Sequence, residues 1–440
     1  MTSPRTPPRQ TSPPDSPGSE PPDSEGGDRF SSGPECCECP ENYRPGGLFA
    51  VQIGDTLGRK RYQVIAKLGH GISSTVWLAV TSVRRQPKYV AIKIMAAEFY
   101  LLPTELGISL RGRNGRHTCF VYEPMGPTVE DIMADPTRYW PEAQLDNNNS
   151  NNSNTARCPT WMVKRILKHT LYGLLALHQR GVIHGNLQCD KLVLRGRGLD
   201  LIPEAELTQI IGDDTYPLAR LDGKVDNWAP PYLVKPLQLT EHMNISFPRE
   251  TMDIRICGLG TALLSTETSE MTSMAFSTRL PELVLEQPLD ERSDVWSFGC
   301  LMYRLLTGSQ LLPEEPVREV DPLVETKEQV AFDEYLLATH CIIGPLPPCV
   351  MQDWAEQKGK LWLGPDGERL YPPECLPPDH ESYRSEPFQP LEVMFERYKA
   401  DDIDAEESNT ITCLLRDTLR FLPEQRMTID QLLMEPWFDG

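Results

Sequence analysis

The sequence predicts an α+β protein built as two lobes, a small antiparallel β lobe followed by a larger, mostly helical one. Two observations carry that expectation. Between residues 62 and 123 short runs alternate apolar and polar side chains with the period of a strand, whereas from about 160 onward apolar residues fall at helical spacing. With 440 residues, 39% of them apolar, the chain can bury one large core or two moderate ones.

Residues 1–45 are rich in Pro, Ser, Gly, Asp and Glu and nearly free of aliphatic side chains. Such a segment cannot offset its ordering entropy, so a disordered tail is expected there. Its steps Ser3-Pro4, Thr6-Pro7, Ser12-Pro13 and Ser16-Pro17 suit proline-directed phosphorylation. The small lobe is expected over 46–123. There "YQVIAKLG" and "STVWLAV" form a hairpin around a glycine pair, "YVAIKIM" is a third strand, and "CFVYE" is a fourth that stops before Pro124 and Gly126.

The larger lobe is expected over 124–440. The polar insert "LDNNNSNNSNTA", 145–156, reads as a solvated loop within it. Next, "WMVKRILKHTLYGLLALHQRG" has helical spacing and a stop at Gly181. "SDVWSFGCLMYRLLTG" reads as a buried helix with Ser293 as N-cap and Gly308 as its end. "LPEQRMTIDQLLMEPWF" holds a short helix before Pro436.

Composition narrows the function. Lys and Arg number 43 against 63 Asp and Glu, a net charge of -20, and a nucleic-acid partner needs the opposite balance. A basic protein partner suits the chain instead. No run approaches the roughly 18 apolar residues of a membrane span, and no N-terminal stretch resembles a signal peptide, so a cytoplasmic or nuclear protein with free thiols is expected. "ECCECP" brings Cys36, Cys37 and Cys39 together without the second pair that would complete a zinc site, so no metal is assigned to it.

The chemistry gathers in a few motifs. "LGHGISSTVWLAV" supplies Gly69 and Gly71, which let a hairpin backbone approach phosphates, with Ser74 where a third glycine is usual. "VAIK" follows with Lys93. Together with "CFVYE", "HGNLQ", "LPE" before "SDVWSFGC", and "RMT", in that order, these motifs resemble the eukaryotic protein kinase family. "YRPGGLFAVQIGDTLGRKRYQVIAKLGHGISSTVWLA" and "NGRHTCFVYEPMG" are similar to its serine/arginine-protein kinase branch, and the resemblance runs from about 45 to 440.

The resemblance implies a bilobal protein kinase fold with ATP as small-molecule partner. By it, Lys93 holds the α- and β-phosphates beneath a loop of Leu68, Gly69, His70, Gly71, Ile72, Ser73, Ser74, Thr75 and Val76. Leu68 and Val76 sandwich the adenine, Glu123 to Met125 present hinge backbone, and Tyr122 is the gatekeeper. Glu282 pairs with Arg426, and Asp294 ties its helix to the catalytic loop. Residues 195–253 are read as a branch-type insertion in the large lobe, and "LLATHCIIGPLPP" (336–348) as a helix and Pro-rich turn.

The catalytic loop departs from the family. The family's loop aspartate, the lysine two residues on and the asparagine three beyond fall here on Asn186, Gln188 and Lys191, and its metal-binding Asp falls on Gly258 of "IRICGLGTA", with Gly260 as the turn glycine. An amide takes no proton near neutral pH, and neither Lys191 nor Gly258 offers a side-chain oxygen to magnesium. Only 96–118 remain for a regulatory helix of about ten residues, a strand of about five and their connections, with Glu105 or Glu98 as partner for Lys93; the small lobe is abbreviated or the reading frame has lost an exon. Two functions stay open. One is a nucleotide-retaining pseudokinase that acts as a regulatory or binding module. The other is an active serine/threonine kinase acting with ATP on Ser in basic Arg/Ser-rich proteins, using Asp190 or Asp253 as stand-in carboxylates.

Overall fold

The computed structural model describes residues 28–31, 33–83, 88–99, 107–139, 158–196, 198–239, 252–264, 280–284, 287–312, 335–336, 338–348 and 389–439. In chain order the strands are β1 (Thr56–Leu57), β2 (Tyr62–Gly71), β3 (Ser74–Thr81), β4 (Tyr89–Met95), β5 (Gly107–Gly112), β6 (Gly115–Tyr122), β7 (Val182–Ile183), β8 (Leu192–Leu194), β9 (Thr215–Pro217), β10 (Tyr232–Val234), β11 (Ile254–Ile256) and β12 (Leu263–Leu264). The chain divides into two compact units, Met1–Pro124 with Gly196–Asn244, and Met125–Arg195 with Ile245–Gly440.

The first unit is a six-stranded sheet in the order β1-β2-β3-β4-β6-β5, with each neighbouring pair antiparallel. Side chains alternate across a strand, so the cross-strand sets Val76–Lys93–Phe120 and Leu78–Ala91–Tyr122 share one face. Trp77, Ala79, Ile92, Ile94, Cys119 and Val121 lie on the other. That second face is sealed by Val51, Leu57 and Val234, and a neighbouring cluster joins Cys37, Tyr43 and Leu48 to Ala96 and Leu233.

Much of this cover was expected elsewhere. Within the tail assigned to 1–45, residues 28–31 and 33–45 are built into the unit: Phe30, Cys37 and Tyr43 are buried, and Arg29 bridges Glu41 at 2.8 Å and Asp226 at 3.0 Å. Burial pushes the Cys37 thiol up to about 12. The Ser/Thr-Pro steps lie outside the described residues. The insertion does not belong wholly to the large lobe either, since Gly196–Asn244 groups with the first unit. It adds backbone bonds beside β2, with Gln209 N–H donating to Ile65 O at 3.0 Å and Leu237 N–H to Lys67 O at 2.7 Å. Both stretches hold on through scattered polar anchors and short strands, which leave no periodic pattern to read.

After β4 comes a 3-10 turn, Ala97–Phe99, and β5 already starts at Gly107. The strand expected within 96–118 is present, and the seven residues 100–106, where the helix was expected, lie outside the described residues. Glu98 pairs with Arg44 at 3.1 Å rather than with Lys93. Glu105 lies outside the described residues.

The second unit is mainly helical: α1 (Val129–Ala134), α2 (Thr160–His178), α3 (Glu291–Thr307), α4 (Leu391–Tyr398), α5 (Ala405–Thr418) and α6 (Ile429–Leu433) are its longer described helices. Met162, Val163, Ile166, Leu167, Leu171 and Leu174 form the buried stripe of α2. Its first turn is held by Asp402, which accepts from Thr160 N–H at 2.9 Å and Oγ1 at 2.7 Å. Helix α3 starts earlier than its sequence suggested: Asp290, not Ser293, is the N-cap, and Ser293 completes the capping box. Gly308, at φ 73, ends it in the left-handed conformation that glycine adopts without strain. Residues 338–343 are helical and precede Gly344 and the Pro-rich turn. The polar insert 145–156 is outside the described residues.

Three histidines make stability depend on pH. Burial, first among the causes, holds His117, His169 and His340 below the ordinary value of 6.5, and neighbouring Arg165 adds to the effect at His169. His117 Nδ1 lies 2.9 Å from the Met95 carbonyl, and its Nε2 is buried without a partner among the described residues. The unfolded chain therefore binds more protons below pH 6.5, so the contribution is complete above that value and is lost as pH falls through the folded values. The urea midpoint is expected to drop between pH 7.5 and 5, and His117→Gln to flatten that slope. An unchanged slope in the variant would remove His117 from the account.

Candidate functional site

The residues singled out from the motifs divide between the units. In the first, Gly69 pairs with Val76, His70 with Thr75 and Gly71 with Ser74, so the glycine hairpin turns at Ile72 and Ser73. Ile72 stands 96% exposed at its tip. Val76 lies beside Lys93, and Lys93 beside Phe120, on the sheet face left half-open. Tyr122 is 51% exposed and stacks on Phe120 with ring centroids 6.1 Å apart. Thr75 points to the opposite, sealed face, where its Oγ1 accepts from the Trp77 indole at 2.9 Å, so its side chain does not belong to the loop's open side. Lys93 has no carboxylate partner among the described residues. Leu68 is half-buried and Glu123 exposed at the end of this unit, while half-buried Met125 opens the second.

In the second unit one carboxylate organises the loop. Asp294, fully buried near the start of α3, accepts from the backbone N–H groups of His184 and Gly185, both at 2.8 Å, and lies 2.8 Å from His178 Nε2. His184 in turn sets Nε2 2.9 Å from the Cys257 carbonyl. The sequence reading assigned no part to His178 or His184. The first is hidden because it comes from the end of α2; the second opens the quoted "HGNLQ" and was legible as the loop's anchor.

Asn186 follows with its amide engaged: its Oδ1 accepts from Gln188 Nε2 at 2.6 Å, and its N–H donates to His184 Nδ1 at 3.3 Å. The Lys191 ammonium pairs with the Asp190 carboxylate. Asp253 lies among Arg255 at 2.8 Å, His169 at 3.7 Å and Arg195 at 3.8 Å. Both candidate stand-in carboxylates are thus already in ion pairs.

Further along, Glu282 and Arg426 form a buried two-point ion pair, 2.6 Å from Nη1 to Oε1 and 3.1 Å from Nη2 to Oε2. Divalent magnesium wants several oxygen donors. The loop offers Lys191 and Gly258 at the two positions named for it, and a Cβ on Gly258 would lie 2.5 Å from Lys191 Cδ. The residues present do not fit the ion, and no cluster of His, Cys, Asp or Glu suited to a metal occurs among the described residues. Nor is any helix among them long and apolar enough to cross a membrane.

Comparisons with known proteins agree with this architecture. The protein kinase domain family matches residues 242–438. A serine/threonine-protein kinase SRPK of Physarum polycephalum is 23% identical over 94% of this chain and 93% of its own length. A serine/threonine protein kinase of Aspergillus fumigatus is 24% identical over 89% of this chain and 88% of its own. SRSF protein kinase 3 of Mus musculus is 27% identical over 36% of this chain and 29% of its own. A solved kinase domain superposes with a TM-score of 0.53 at 18% identity, covering 89% of this chain and 98% of that one. The order of the motifs, the antiparallel sheet and the helical unit, and these similarities together give the chain the protein kinase fold and a likeness to kinases of the serine/arginine-protein kinase type.

Proposed function

We propose that this chain is a pseudokinase of the serine/arginine-kinase type, a regulatory or binding module that keeps a nucleotide face and has given up phosphoryl transfer. The observation that carries the reading is the state of the loop at 186. The position that in the family accepts or orients the substrate proton is an amide whose oxygen is already bound to Gln188. General-base assistance contributes about 10²- to 10⁴-fold in rate, and Asp190 and Asp253 are both held by cations. ATP, the family's small-molecule partner, is assigned to the face of Leu68, Val76 and Lys93 beneath the hairpin of Gly69, Gly71 and Ser74. Its binding here does not call on magnesium.

The partner is a basic protein. The net charge of -20 favours one, and the relative named as an SRSF protein kinase supports Arg/Ser-rich chemistry. The competing reading, an active serine/threonine kinase on the same partner, has in its favour the full-length similarity to proteins named as kinases. A radiolabelled phosphotransfer assay on an Arg/Ser-rich peptide separates the two. The expected result is no incorporation above a Lys93→Met blank, together with ATP binding that EDTA leaves unchanged. Turnover above the blank gives the site to the active kinase.

A further inference from the structure

Two segments of the second unit are stitched together at the loop. β8 and β11 pair antiparallel, Leu192 with Ile256, Val193 with Arg255 and Leu194 with Ile254. Just beyond that ladder Cys257 N–H donates to Lys191 O at 2.8 Å, and His184 Nε2 sits 2.9 Å from Cys257 O. The backbones at 191 and 258 are therefore fixed against each other. Gly258 itself is left-handed, φ 80 and ψ 25, a conformation that Asp and Asn tolerate better than other side chains do. Backbone alone does not bar an aspartate there. The obstacle is Lys191, whose Cδ lies 2.5 Å, Cε 3.3 Å and Cγ 3.4 Å from a Cβ built on Gly258.

The geometry points to an interlocked pair: the Lys191 stem fills the space that any side chain at 258 needs, and its ammonium occupies the Asp190 carboxylate, so divalent cations are excluded from this loop by two residues acting as one. The inference deepens the pseudokinase reading and rests on it. Restoring one position does not restore a cation site. With Gly258→Asp alone, either the stem blocks the new carboxylate, or it swings aside and its ammonium pairs with that carboxylate. Only the added exchange Lys191→Asn frees Asp190 and supplies an amide oxygen beside a carboxylate, the hard donors such an ion requires.

The test compares the unaltered chain, Lys191→Asn, Gly258→Asp and the double variant, using manganese alone as probe. Uptake is read from loss of the free-ion electron paramagnetic resonance signal, and stability from thermal melts. Stoichiometric uptake is expected in the double variant alone. Gly258→Asp is expected to lower Tm by roughly 2–4 °C more with Lys191 present than in the Lys191→Asn background. Gly258→Ala repeats the steric half of the comparison if the aspartate variant does not fold. Uptake by Gly258→Asp equal to that of the double variant, no uptake by a folded double variant, or equal melting losses in both backgrounds would each overturn the interlock. Uptake at this loop by the unaltered chain would instead sink the reading beneath it.

Discussion

Replacing Arg426 with alanine is expected to destabilise the second unit by about 3–5 kcal/mol, the cost of breaking a buried ion pair from one side. The pair is closed to water, with side-chain exposures of 0% for Arg426 and 2% for Glu282. Arg426 does more than neutralise its partner. Its guanidinium donates to Arg292 O at 2.8 Å, Arg420 O at 2.7 Å and Phe421 O at 3.0 Å, and lies 5.2 Å from the centre of the Trp296 ring. Truncation orphans those carbonyls along with the carboxylate. Glu282→Gln keeps an acceptor for Ser293 Oγ, which donates to Glu282 at 2.8 Å, and is expected to cost less than Arg426→Ala. Urea denaturation followed by fluorescence measures both. Equal costs would mean that the carbonyl bonds contribute nothing, contrary to this account.

The second large effect is expected at Glu38. Its carboxylate takes the Lys67 ammonium and the Tyr43 hydroxyl, and both charged side chains are sealed, with exposures of 2% and 0%. Glu38→Ala leaves an unpaired ammonium in the core beside Trp77, whose ring centre is 5.7 Å from Lys67 Nζ, again at about 3–5 kcal/mol. Uncharged replacements of similar volume remove that burden, so Lys67→Met combined with Glu38→Gln should recover most of the loss. Thermal melts of the two variants check this. A double variant no better than Glu38→Ala would show that the pair's geometry, not its charge balance, holds the segment in place.

Legibility followed locality. Strands β2, β3 and β4 and helices α2 and α3 carry their own periodic patterns, and each lies where its apolar spacing put it, within a turn at the ends. The N-cap at Asp290 was missed because Ser293 is an equally good capping residue, and only backbone geometry separates an N-cap from the third position of a capping box. The segment after Asp28 was missed for a different reason. Its order comes from Glu41, Asp226 and Val234, contacts that no local window contains. At the candidate site, motif order singles out Asn186, Lys191 and Gly258. That Lys191 lies across Gly258 was not legible, because the β8–β11 ladder alone brings the two together.

The first unit is assembled from stretches that leave the ribosome far apart. Phe30, Tyr43 and the six-stranded sheet are complete in the nascent chain by Pro124, yet Val234, which packs on the Trp77 face, and Leu233, which packs in the neighbouring cluster, are made only after residues 125–195 have been synthesised. At translation speeds of about 5–20 residues per second, that face lacks part of its cover for roughly 5–20 seconds. Apolar surface left incompletely covered for so long makes the half-made sheet a target for holdase chaperones, and it ties the yield of folded protein to the pace of elongation between the two stretches.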